Sequence, residues 1–293
     1  MKNNVTLTIT CLLSIAVIAV ASAVAAAGAA GALPIQPDTL AVESDGLHLR
    51  ALFYRPAGPG PFPGVLINHG SGHAAGVDRT GVPDHRHPEI HGPLFAAHGY
   101  AALYLFRRGD GLSRGQGSAD ADVLDRSAEH GQDERNRIQI ERLEHEDMHD
   151  ALAGLAVLRA RPEVDPRRIA IVVHSFGGSL SVLVAGRDTT LRAAVLFATA
   201  GYSWMRSPEL RERLLEAVAR SHAPMLFIHA ANDYTIASGE SLAAELHRLG
   251  KPGQVRIYPA VGHTPDDGHA FVDTGVATWE RDVFTFLDPL MKR

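Results

Sequence analysis

From Thr39 onward, short and densely apolar runs alternate with longer stretches whose apolar residues recur every three or four positions. The apolar runs are LAVES, LHLRALFYR, GVLINHG, YAALYLF, RIAIVVH, LRAAVLFA, APMLFIHA and QVRIYPA. The first two flank Asp45-Gly46, a dipeptide suited to a tight turn with positive φ, and predict an antiparallel hairpin. Several of the others are apolar at nearly every position, as strands covered on both faces must be. Between them the spacing predicts helices near 88–98, 134–160, 176–186, 208–220, 238–249 and 276–291. Strands alternating with helices imply the α/β class: a mostly parallel eight-stranded sheet with helices on both faces. No internal repeat or second domain is visible, so residues 34–293 read as one catalytic domain. The stretch 109–133, rich in Gly, Ser and Asp, is expected to be a loop over the site or a surface excursion.

The first thirty or so residues follow a different pattern. Lys2 precedes an apolar run from Val5 to Val20, and an Ala-rich stretch offers A-x-A-like cleavage sites ending at Ala23, Ala25 or Ala27. This is the layout of a secretory signal peptide, placed at residues 1–27, and it implies export to a periplasm or to the medium. The alternative is a retained anchor, since Val5 to Leu33 is long enough to span a bilayer. The only cysteine, Cys11, lies in this segment. Once the segment is removed, disulfides, thiol catalysis and cysteine-bound metals are excluded. Apolar residues make up 45% and charged residues 21%, with a formal net charge of −5. That balance suits a globular chain and gives no attraction to phosphate backbones or acidic membranes, so a nucleic-acid partner is not expected.

The strongest local signal is RIAIVVHSFGGSLSVLVAG. An apolar strand runs into His174-Ser175-Phe176-Gly177-Gly178 and continues at once as a helix of small and apolar residues. A nucleophile elbow needs this arrangement, because a serine on a strained strand–helix turn projects its oxygen while small neighbours let the two elements approach. The helix N-terminus favours developing negative charge, and the Phe176 N–H is a candidate oxyanion donor. Val173 stands where G-x-S-x-G has its first glycine and is expected to crowd the turn. A strand–helix junction using Ser and Gly only for capping and turning would look similar.

A serine hydrolase of this type carries its acid and histidine after the serine. The run APMLFIHAAND places Asp233 just past a strand, where ligand sites of open α/β sheets form, although a turn aspartate is common there too. After the last strand, VGHTPDDGHAFVDTG offers His263 and His269, and spacing alone does not choose between them. The histidine accepts the serine proton while the carboxylate holds its other nitrogen in the right tautomer. In VLINHGSGH, His69-Gly70 ends a strand, and the Ser71 N–H is the candidate second oxyanion donor.

These residues resemble the dienelactone hydrolase family of α/β-hydrolases, and within it the serine-containing, esterase-like branch. The resemblance covers nearly the whole chain after the leader. It rests on HGSG, FRRGDGLSRGQG, VDPRRIAIVVHSFGG, SPELRERLLEAVARSHAPMLFIHAANDY and DDGHAFVDTGVATWERDVFTFL. It implies the α/β-hydrolase fold, a Ser175-Asp233-His269 triad and His269 rather than His263 as the base. The family's namesakes use cysteine, so Ser175 moves the expectation from dienelactones toward general esters. The substrate implied is a small-molecule ester or related acyl compound, with no cofactor and no metal.

Arg107 and Arg108 follow the YAALYLF strand at the expected pocket rim, and Arg108 is a candidate to clamp a substrate carboxylate. The competing role is structural, pairing with the acids of 120–150. Tyr202 and Trp204, just after LRAAVLFA, are candidate pocket walls, though an aromatic there is more often core packing.

A rival motif is His145-Glu146-Asp147-Met148-His149, a literal H-E-x-x-H, whose histidines would share one helix face around a zinc ion. Against it, Leu143, Ala151, Leu152, Leu155 and Leu158 mark the segment as a covering helix, and no third ligand is identifiable. His85, His87 and His91, around Asp84 and Glu89, are read as a loop and first helical turn rather than a metal site, with Pro88 at the helix start. The sequence therefore predicts an exported serine hydrolase. A peptidase is the nearest alternative, ranked second because no propeller or large gating domain is expected ahead of the catalytic stretch. A zinc hydrolase and a non-catalytic binding protein on the same scaffold follow it.

Overall fold

The computed structural model describes residues 35–72 and 87–292. The leader at 1–27, Cys11, and Asp84 and His85 of the histidine-rich loop lie outside the described residues. Strands β1 (Asp38–Ser44) and β2 (Leu47–Tyr54) form the expected hairpin, with Ser44 opposite Leu47. Its turn uses positive φ at Asp45 (49°) and Gly46 (77°), as a two-residue connection between right-twisted strands requires.

The sheet is completed by β3 (Phe62–Asn68), β4 (Ala101–Phe106), β5 (Val164–His174), β6 (Ala193–Phe197), β7 (Met225–Ala230) and β8 (Gly253–Tyr258). Its eight strands run in the order β1-β2-β4-β3-β5-β6-β7-β8. The pairs β1–β2 and β2–β4 are antiparallel, and every other pair is parallel. Chain order reverses direction across the sheet at β3, so the crevice beyond the carboxyl ends of β3 and β5 is where a ligand site is expected.

Alternate residues of the central strands serve two separate cores, as a side-chain period of two dictates. On one face Leu66, Ile171, Leu196 and Phe227 pack with Leu155, Leu180, Leu214 and Leu246. These come from helices α4 (Glu146–Ala160), α5 (Phe176–Arg187), α6 (Pro208–Arg220) and α7 (Ala237–Arg248). On the other face Val65, Val172, Val195 and Ile228 pack with Phe95 of α1 (Pro88–Ala97) and with Trp279, Val283 and Leu287 of α10 (Val276–Met291). The short helices α8 (Pro265–His269) and α9 (Phe271–Thr274) precede α10.

Two expectations are corrected. The stretch 109–133 is not a bare loop, because after a 3-10 turn at Gly111–Ser113 it forms α2 (Asp120–Ala128). The helix expected over 134–160 is two helices, α3 (Gln132–Glu144) and α4, broken at His145 (φ −119°, ψ −90°). No Gly or Pro marks that break; tertiary contacts impose it. Arg142, in the last turn of α3, reaches Asp120 and the Ser118 carbonyl, while Asp150 in α4 is fastened to Ser44 and Arg108. As a result α2 and α3 pack together and lean over the carboxyl edge of the sheet as a cap.

Candidate active site

Strand β5 ends at His174 and α5 begins at Phe176, leaving Ser175 alone in the turn with φ 56° and ψ −115°. A non-glycine residue at positive φ is strained and persists only where its surroundings hold it. Here the Ser175 N–H donates to the Phe197 carbonyl at 2.9 Å, and the Ser175 carbonyl accepts from Gly178 at 2.9 Å and Ser179 at 3.2 Å. The glycines are required by contact. A Cβ on Gly177 would lie 2.4 Å from the His69 carbonyl oxygen, and one on Gly178 would lie 2.6 Å from Thr199 Oγ1. Val173 does not prevent the turn; its side chain is buried in the core on the α4–α7 face, away from the elbow's close contacts.

The side chains gathered around Ser175 come from three strand ends. His269 Nε2 lies 2.8 Å from Ser175 Oγ, and His269 Nδ1 lies 2.7 Å from Asp233 Oδ1. His263 is exposed, and its backbone N–H donates to Asp267 Oδ2, so of the two histidines only His269 reaches the serine. Asp233 is buried, which by itself disfavours its charge. Hydrogen bonds from His229 and His269 outweigh that burial and hold the carboxyl below its ordinary range. The Tyr234 N–H adds a third donor to Oδ1 at 2.8 Å.

Several supporting residues escaped the sequence reading. His229, the last residue but one of β7, donates from Nδ1 to Asp233 Oδ2 at 2.8 Å. His174 donates from Nε2 to the His269 carbonyl at 2.9 Å, so the residue before the serine also anchors the backbone of the histidine. Asn232 donates to the Val261 and Thr264 carbonyls and accepts from the Val261 N–H, which ties the exit of β7 to the histidine loop. The signal for His229 was available in HAAND: a histidine four residues before the acid at a strand end, an offset that lets both meet after one turn.

Ser175 opens into a pocket of about 290 Å³. Ser71 and Phe176, the two expected oxyanion residues, line it beside Ser175 and His269. Tyr202 lines it too, its ring held between the guanidinium groups of Arg206 (3.9 Å) and Arg135 (4.9 Å). The far wall is the cap: Ala121, Leu124 and Ala128 from α2, and Gln132, Arg135 and Gln139 from α3.

Trp204 does not line the pocket; it is buried in the core on the α4–α7 face. Arg108 does not face the pocket either. Its guanidinium is spent on Asp150 (2.6 Å and 3.0 Å) and Asp45 (2.9 Å), because acids converge on it from the hairpin turn and from α4. Two of the three H-E-x-x-H residues are likewise engaged in ion pairs. Glu146 meets Arg142, and His149 meets Asp45. His87 pairs with Glu89, and His91 pairs with Asp273 at 2.7 Å. Among the described residues no group of three or more His, Cys, Asp or Glu side chains is placed to hold a metal ion.

The sequence matches the family model for the dienelactone hydrolase family over residues 49–276. The polyketide transferase grgF of Penicillium sp. is 30% identical over 174 residues, which are 56% of this chain and 52% of that protein. The chain spans between about a third and about a half of the length of the curated relatives it matches. Among solved structures, the acylaminoacyl peptidase of Pyrococcus horikoshii superposes with a TM-score of 0.65 at 19% identity, over 89% of this chain and 42% of that one. The dienelactone hydrolase of Anabaena variabilis superposes with a TM-score of 0.56 at 16% identity, over 87% of this chain and 99% of that one. At such identities the likeness to the solved structures is one of fold.

Proposed function

The chain belongs to the dienelactone hydrolase family, and on that premise we propose that it is a serine hydrolase cleaving a carboxylic ester or related acyl bond of a small molecule. The observation that carries this reading is the unbroken relay from Ser175 Oγ through His269 to Asp233, with both links below 2.9 Å. His269 Nε2 takes the proton of Ser175 as Oγ attacks the carbonyl carbon. Asp233 keeps the other ring nitrogen protonated and stabilises the imidazolium that forms. The N–H groups of Ser71 and Phe176 receive the charge on the carbonyl oxygen. The imidazolium then protonates the departing alkoxide, and water, deprotonated by the same histidine, releases the acid and restores Ser175.

A pocket of about 290 Å³ sits at the small end of the ligand-pocket range, which favours compact acyl groups. The second reading is acyl transfer, in which an acceptor other than water takes the acyl group; the transferase among the relatives favours it. We further propose export, supported by the pattern of residues 1–27.

The test is labelling by a fluorophosphonate probe beside turnover of p-nitrophenyl acetate, for wild type and Ser175→Ala. Labelling and turnover that both vanish in the variant are expected. Turnover that survives Ser175→Ala overturns the assignment. Added alcohols or amines that divert product from acid to ester or amide would select transfer over hydrolysis.

A further inference from the structure

Arg107, just past the end of β4, and Trp279 are the two bulkiest fully buried side chains among the described residues. The guanidinium of Arg107 sits behind the pocket, not in it. Its Nη1 donates to the His69 carbonyl at 2.8 Å, and its Nη2 donates to the Gly70 carbonyl at 3.1 Å and to Asp120 Oδ2 at 3.0 Å. Its Cζ lies 5.4 Å from the centre of the Phe176 ring. The Arg107 backbone N–H donates to His69 Nε2 at 3.2 Å. That places a lone pair on Nε2 and the proton on Nδ1, which donates to the Gly70 carbonyl at 2.6 Å. The Gly70 carbonyl therefore takes two donors, one from the Arg107 side chain and one from an imidazole that the Arg107 backbone N–H orients.

A trans peptide is planar, with its C=O and N–H pointing in opposite directions. Holding the Gly70 carbonyl toward Arg107 turns the Ser71 N–H of the same peptide away from it. Ser71 lines the pocket, and a Cβ on Gly70 would lie 3.4 Å from Ser175 Cβ, so this peptide runs beside the nucleophile. Asp120 opens α2, whose next turns form the pocket wall, and Arg142 of α3 binds the other oxygen of the same carboxylate at 2.7 Å. One guanidinium thus joins the loop after β3, the residue following the nucleophile and the cap.

We propose that Arg107 is a positioning residue for the oxyanion hole: through the Gly70 carbonyl it aims the Ser71 N–H, and through Asp120 it registers the cap against that peptide. This rests on the serine hydrolase reading above. A purely structural arginine would change how much protein folds but not what each folded site does. A positioning arginine lowers transition-state stabilisation in every folded site and leaves ground-state binding largely intact.

The test compares wild type, Arg107→Lys and His69→Leu, with Ser175→Ala as control. Active sites are counted by fluorophosphonate labelling run to completion. For each variant, kcat and KM for p-nitrophenyl acetate are set beside Ki for a trifluoromethyl ketone, whose adduct with Ser175 carries the oxyanion. In Arg107→Lys, kcat per labelled site is expected to fall about 10- to 100-fold, less than the roughly 10²–10³ lost with a whole oxyanion donor. KM stays within about 3-fold, and Ki for the ketone rises in step with the fall in kcat. His69→Leu removes the other donor to Gly70 without touching the ion pairs, is expected to show the same split, and decides the question if Arg107→Lys does not fold. Unchanged kcat per labelled site overturns the proposal. A wild type that is not labelled instead refutes the hydrolase reading itself.

Discussion

His229 donates to Asp233 Oδ2 at 2.8 Å, the oxygen that His269 leaves free, so the acid of the triad is held by an imidazole on each side. Neither histidine is exposed, and His229 Nε2 has no hydrogen-bond partner among the described residues. The proton of His229 is therefore on Nδ1, and the ring serves the carboxylate alone.

Replacing His229 with Leu should leave Oδ2 without its donor in a site with little water. The expected result is a loss of about 1–3 kcal/mol of stability in urea unfolding, the cost of a buried acceptor stripped of its partner. Stability should change with a definite pH signature. The folded-state pKa of Asp233 is depressed, so its ionisation contributes stability above the ordinary carboxylate value and loses it as pH falls. Without His229 the depression shrinks, and the stability lost as pH falls from about 5 to about 2 in urea titrations should be smaller than in wild type, the two proteins diverging below about pH 3. An equal acid loss in both proteins would sink the idea.

The two histidines near the C-terminus should behave very differently. His269→Ala is expected to lower kcat/KM by about 10⁴ or more, as for other triad bases. His263→Ala should stay within about 3-fold, because only the His263 backbone is engaged, and its N–H survives the substitution. Steady-state kinetics on the two variants settle the assignment.

Ser175 stores strain at φ 56°. Ser175→Gly removes that strain and Ser175→Ala keeps it, while both abolish the nucleophile. Thermal or urea unfolding should find the glycine variant more stable than the alanine variant by about 1 kcal/mol, the low end of the cost of a forbidden backbone conformation. Equal stabilities would mean that the strain does not exceed the roughly 0.5–1 kcal/mol that glycine's extra chain entropy costs.

The H-E-x-x-H sequence offers a chelation test. Glu146 and His149 are committed to Arg142 and Asp45 at the surface. Ester turnover should be unchanged by EDTA, and His149→Ala should keep activity within about 2-fold. Activity that disappears with chelator and returns with zinc would overturn the serine assignment.

Much of this architecture was legible because each strand announces itself locally. YAALYLF and RIAIVVH are apolar at nearly every position, and both became central strands. The elbow was legible for the same reason: Gly177 and Gly178 stand two and three residues after Ser175, and their necessity is steric. What was hidden depends on contacts between distant residues. Nothing near His145 marks a helix break, because the causes are Asp120 and Asp150 acting through arginines. Arg107 and Arg108 are adjacent and alike in sequence, yet Arg107 takes Asp120 and Asp147 while Arg108 takes Asp150 and Asp45. Neither becomes a substrate clamp, because buried carboxylates claim both. Trp204 was misplaced because position after a strand does not say which way an indole turns. Spacing alone did not choose between His263 and His269; the resemblance pointed to His269, and the loop that Asn232 pins sets His269 beside Ser175.

Ser175, Asp233 and His269 all come from strand ends and the loops beyond them, whereas much of the pocket wall among the described residues is built by residues 120–144, with Tyr202 and Tyr234 beside it. Much of recognition is therefore written in a stretch of chain apart from the chemistry, and that part can be exchanged while the reacting groups stay in place. A recombination experiment that swaps this stretch between homologous hydrolases should transfer substrate preference while the reactive serine keeps working. The junction has one condition. The transplanted piece must bring Asp120 and Arg142 with it, or the host's buried Arg107 loses its hydrogen-bonded carboxylate and keeps only Asp147 at 3.6 Å, and the hybrid is destabilised before preference can be read.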